Sequence, residues 1–161
     1  VVEHLPHTKI DGAALRPGSG TPVVALSLRY DRIDHFWHIL AHELIHVLHK
    51  DAPHVDLDLM TGEVSGECDQ AIEDRTNREA AAMLIDQEKL DSFILRKRPF
   101  FSKRAIVQFA NTIKVHPGII AGQLQFRGAI KYSMNREMLV KVRDFVTSAA
   151  ITDGWGNRLP T

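Results

Sequence analysis

Between Phe36 and Lys50 the chain carries neither glycine nor proline. Phe36, Ile39, Leu40, Ile45, Val47 and Leu48 recur there with helix-compatible spacing, and Pro53 lies just beyond. The spacing predicts a helix, with Asp31 or Asp34 as its N-cap. Inside it runs His42-Glu43-Leu44-Ile45-His46. Residues four apart on a helix lie one turn apart on one face, so two imidazoles can reach a single metal ion. Glu43 is rotated by about 100° from His42 and falls to the ion's open side. There its carboxylate can take a proton from a coordinated water, whose pKa zinc lowers towards about 7.

Two histidines alone hold zinc weakly, and catalytic sites normally use three protein ligands plus water. A second helix, predicted over 69–87, offers Glu73. Glu73, Asn77, Ala80 and Leu84 share one of its faces, and the small residues around Ala80 would let it approach the first helix closely. Asn77, one turn past Glu73, could hydrogen-bond a ligand from behind. Glu67, Asp69, Asp74 and His54 compete for the third position.

The chain's other features bound the fold. At 161 residues it suits a single domain that can bury a core without disulfides, and its one cysteine, Cys68, cannot form an internal bridge. Twenty basic and twenty acidic residues balance, so no strong positive field argues for nucleic acid or an anionic membrane. No apolar run approaches the roughly 18 residues needed to span a bilayer. A cytoplasmic location is expected. Residues 1–30 read as two or three antiparallel strands, with Val23–Leu28 a good candidate. Residues 31–50 carry the histidine helix, and 51–68 read as an irregular loop. A short helix is expected over Lys89–Leu95. Residues 102–148 read as further helices, opened by Ser102, by His116-Pro117 and by Asn135. The fold class is therefore α+β, a small antiparallel sheet beside a mainly helical bundle.

Several side chains have a functional and a plainer reading. His35, His38, His42, His46 and His49 fall within about 80° on a helical wheel. They could form a polynuclear metal face, but the simpler reading is that only His42 and His46 bind. His116, Tyr132 and Arg127 are candidate hydrogen-bond donors to a tetrahedral oxyanion, with capping or surface roles as the alternative. Cys68 could be a redox-sensitive ligand or an ordinary small residue. Arg96-Lys97-Arg98 with Phe93, Phe100 and Phe101 could suggest nucleic acid, but a solvated loop with core aromatics suits a neutral chain better. Trp155, in a glycine-flanked tail, could cover the domain or face a partner.

Three segments taken together resemble a known family. Asp31-Arg32-Ile33-Asp34-His35-Phe36-Trp37, the His42–His46 motif, and Glu73-x-x-Thr76-Asn77-x-x-Ala80 through Met83-Leu84-Ile85 are similar to the ImmA/IrrE metallopeptidase-like family, nearest to the C-terminal domain of HigA-type antitoxin regulators. Leu28–Arg32 and Val115-His116-Pro117-Gly118 suit that branch too. The resemblance spans about Pro22 to Gly128. It implies a zincin-like fold, one Zn²⁺ per chain held by His42, His46 and Glu73 in a gluzincin-like set, and Glu43 as the catalytic carboxylate. It implies cleavage of a protein or peptide such as a transcriptional repressor. The alternative is a non-catalytic zinc-binding module of a toxin–antitoxin regulator that binds a toxin. In that branch a DNA-binding helix-turn-helix domain precedes this one; with no such segment and no initiator Met here, an excised C-terminal domain is expected. Thr76 replaces the usual alanine, Glu79 an apolar residue, and Asp86 the proline often found after the helix.

Overall fold

In the computed structural model the described residues are 2, 7, 9–16, 20–51, 54–57 and 70–149. Their order is β1 (Ile10–Leu15), β2 (Val23–Leu26), α1 (Ile33–His49), β3 (His54–Leu57), α2 (Gln70–Leu84), α3 (Gln87–Lys97), α4 (Lys103–Ile113), α5 (Pro117–Phe126), a 3-10 turn (Arg136–Met138) and α6 (Arg143–Ala149). The class is α+β and mostly helical, as expected. The sheet runs β2-β1-β3, with both neighbours antiparallel to β1. Ala13 stands opposite Ala25 on one side and Val55 on the other. β3 corrects the sequence reading of 51–68 as wholly irregular. Its four residues, His54-Val55-Asp56-Leu57, do alternate polar and apolar, a short period-two signal inside the stretch read as loop, and the ladder with β1 defines them as a strand.

α1 is the hub, in contact with α2, α5, β1 and β2. Its neighbours come unusually close. A Cβ on Gly122 of α5 would lie 2.3 Å from Asp34 Oδ2, so only glycine lets that helix meet the first turn of α1. On the far side of α5 lies the apolar core. Leu90, Phe93, Ile106, Phe109, Ile120 and Leu124 are buried there between α3, α4 and α5, with the Phe93 and Phe109 rings stacked at 4.4 Å. Phe93 and Phe101 are thus core residues, as the plainer reading had it, whereas Phe100 is exposed.

Helix boundaries follow local chemistry. Ser102 caps α4 by accepting the Ala105 N–H, and Pro117 opens α5. α2 stops at Leu84 rather than Gln87, because Asp86 accepts the Lys89 N–H and starts α3. The short helix is longer than Lys89–Leu95 for the same reason. Two expected caps are corrected. α1 begins after Arg32 with no side-chain cap, and Asp34 instead pairs with Arg32 at 2.6 Å. Asn135 opens only the 3-10 turn. The chain beyond it lies against the start of α1, where Ile33 N–H donates to Val140 C=O, and helix resumes only at Arg143.

Asp31 is what starts that last helix. Its carboxylate accepts the N–H groups of Val142 at 2.9 Å and Arg143 at 2.8 Å, across more than a hundred residues of chain. Burial alone would raise its pKa, but these two bonds and the Arg143 charge outweigh it and hold the carboxyl below the usual range. Asp31→Ala is expected to cost about 1 kcal/mol in urea unfolding. A lowered folded pKa stabilises the fold fully above the unfolded value of 3.8, and that contribution fades as pH falls through the folded value. The gap between wild type and variant therefore closes in acid; a gap that persists there would contradict the assignment.

Candidate metal centre

α1 places His42 and His46 one turn apart on the face that meets α2, and α2 brings Glu73 to the same point. All three are buried. His42 Nε2 lies 3.0 Å from His46 Nε2 and 3.4 Å from Glu73 Oε2, and His46 Nε2 lies 3.4 Å from Glu73 Oε1. Among the described residues these form the one group of three or more His, Cys, Asp or Glu side chains placed to hold a metal ion.

The back of each imidazole fixes what its front offers. His42 Nδ1 is 3.1 Å from Asn77 Oδ1, and His46 Nδ1 is 2.8 Å from Asp51 Oδ2. Both partners are acceptors, so each ring donates its Nδ1–H and turns an Nε2 lone pair towards Glu73. Two lone pairs and a carboxylate then face one another in a buried space. Such a group could hold a cation. Its spacing fits one, since a tetrahedral ion with bonds of about 2.0–2.1 Å separates neighbouring donors by about 3.3 Å.

The supporting atoms are themselves held. Arg75 donates to Asp51 Oδ2 at 2.6 Å. Burial would raise the Asp51 carboxyl, yet the hydrogen bonds from Arg75 and His46 outweigh that and keep it below the usual carboxylate range. Asp51 reaches His46 because Lys50 adopts a left-handed conformation (φ 55°) and the Asp51 N–H returns to His46 C=O. Asn77 Oδ1 also accepts from His38 Nε2 at 3.3 Å. Burial and the neighbouring His42 push His38 down to about 4, so it is neutral at pH 7 and bonds Asn77 without adding charge.

Glu43 projects to another side of α1, fully buried against β1. A Cβ on Gly12 would stand 2.3 Å from Glu43 Oε1 and 2.8 Å from Ile39 Cγ2, so the strand lies against this carboxylate only because residue 12 is glycine.

On the histidine-rich face, among the described residues only His42 and His46 join Glu73 in that group. His35 Nε2 lies 3.6 Å from Asp11 Oδ1, and exposed His49 pairs with Glu79 at 2.7 Å. Glu79, which stands where an apolar residue was expected, thus ties α2 to α1. Thr76 is fully buried. Of the competing third ligands, Asp74 is exposed and accepts from Gln70. Glu67, Cys68, Asp69 and the His54 side chain lie outside the described residues, as does Trp155.

His116 caps α5, its Nδ1 accepting the Gly118 N–H at 3.0 Å. Tyr132 and Arg127 line a cavity whose walls include Asn77 but none of His42, Glu43, His46 or Glu73. Arg127 donates there to Asp91 and Gln87. The sequence reading missed Asp51, Arg75 and Gly12. Only Gly12 left a signal, a lone glycine inside a strand where a close approach is needed. Among the described residues no helix is long and apolar enough to cross a membrane.

Comparison with protein-family models, with curated proteins and with solved structures finds no match for this chain.

Asn77→Ala and Asp51→Ala should each weaken metal binding about 10–100-fold while leaving the fold intact. Competition with a chromophoric chelator measures this. Unchanged affinity in both variants would remove the orienting role assigned to these two side chains.

Proposed function

We propose that the chain is a zinc-dependent peptidase of zincin-like fold, acting on a regulatory protein such as a transcriptional repressor. The observation that carries this reading is the placement of Glu43. It is fully buried on the helix that carries the buried His42 and His46, one residue past His42 and on a different side, with Gly12 of β1 opposite to admit it. A helix that only bound a metal would have no need to bury a carboxylate there, where it costs desolvation. The resemblance to the ImmA/IrrE metallopeptidase-like family in the His42–His46 and Glu73–Ala80 segments supports the same assignment.

His42, His46 and Glu73 would hold the ion, and three ligands leave a position open. When bound there, zinc supplies Lewis acidity and makes water acidic enough to react near neutral pH. The chain's own residues do the rest. Asn77 and Asp51 keep the two Nδ1–H groups occupied, so both rings stay in the tautomer that offers Nε2. Glu43 takes one proton from the attacking water as its oxygen bonds to the peptide carbonyl carbon. It gives that proton to the nitrogen as the C–N bond breaks, so that water is added across the amide. The backbone of β1 at Gly12 limits where the Glu43 carboxylate can stand.

Glu43→Gln should retain zinc and lose hydrolysis of a quenched fluorescent peptide library by a factor of about 10²–10⁴. Gly12→Ala should also retain zinc and lose activity, because its Cβ displaces the carboxylate. Zinc lost from the Glu43 variant, or full activity in either, would overturn the role given to Glu43.

A further inference from the structure

Behind the metal group, across Asn77, lies a cavity of about 740 Å³ between α1, α2 and α5. That volume is in the range of small-molecule sites, roughly 300–1,000 Å³. Its body is apolar, formed by Ala81, Ala82, Leu84 and Ile119, and Phe126 borders it while 72% exposed. An aromatic ring left this open at the rim of an apolar cavity is surface that a ligand would cover.

The charges around it are mostly matched inside the protein. Arg32 pairs with Asp34, Arg127 with Asp91, and Glu79 with His49. His38 is neutral and engages Asn77. Arg78 differs. It lines the cavity from the exposed face of α2, and among the described residues its guanidinium has no hydrogen-bond or ion-pair partner. A free guanidinium beside an apolar cavity is suited to a carboxylate, which it can engage through two parallel hydrogen bonds.

We propose that this cavity binds a small amphipathic carboxylate, with its apolar chain against Leu84, Ile119 and Phe126 and its head group on Arg78. The site is separate from the place where a peptide would be cut. None of His42, Glu43, His46 or Glu73 lines it, and Glu43 faces β1 rather than α5. It nevertheless ends on Asn77, the side chain that holds the His42 ring.

Titration calorimetry of the full 161-residue chain with decanoate and with 1-decanol tests this. Decanoate should bind once per chain, and the uncharged alcohol about tenfold more weakly, a difference of about 1.4 kcal/mol. Arg78→Ala, an exposed position where folding is not at stake, should bring decanoate down to the level of the alcohol. Ala81→Trp should fill the cavity and weaken both ligands. The titration is repeated after chelator treatment, because a carboxylate could instead bind a metal. Decanoate binding that disappears with the metal, that ignores Arg78→Ala, or that does not occur at all would overturn the proposal. None of these results bears on hydrolysis, which the Glu43 variants test separately.

Discussion

Two imidazole nitrogens and the two oxygens of one carboxylate converge in a buried space, the nitrogens 3.0 Å apart and each 3.4 Å from one oxygen. A bound cation would satisfy all of them at once, and their spacing could hold one. The two hydrogen bonds behind the rings create this condition. If Asn77 and Asp51 were donors rather than acceptors, each ring could turn a proton inward, and the group would satisfy itself. Arg75 completes the arrangement by keeping Asp51 charged and in place.

The surrounding fold reads as the means of bringing α1 close to everything at once. Fully buried Thr76 and Ala80 face it from α2, Gly12 lets β1 lie on the Glu43 carboxylate, and Gly122 lets α5 meet its first turn. The main apolar core lies elsewhere, between α3, α4 and α5, so the polar group around α1 does not interrupt it. The same division leaves a cavity between α1, α2 and α5, where small side chains and glycine line the walls.

The local parts of this arrangement were legible in the sequence. A run without helix breakers, histidines four apart and an Ala80-centred second helix carry period and spacing, and those are properties of one segment. Glu73 and Asn77 could be paired on one face for the same reason. What was not legible depends on contacts between distant segments. Asp31 looks like a cap for the helix beside it and instead caps α6, because the chain returns there after more than a hundred residues. Asp51 looks like a loop residue and becomes the partner of His46 only through the left-handed turn at Lys50. β3 has a polar–apolar alternation of its own, but one of four residues, and it is its pairing with β1 that makes it a strand. Tyr132 and Arg127 have the chemistry of oxyanion donors, yet the fold sets them around the cavity with Asn77.

The most direct test of the central claim is zinc content by elemental analysis after gentle purification, for the wild type and for Glu73→Ala. The account predicts one zinc per wild-type chain and a sharp loss in the variant, with circular dichroism unchanged. No zinc in the wild type after incubation at neutral pH, or full zinc content without Glu73, would contradict it.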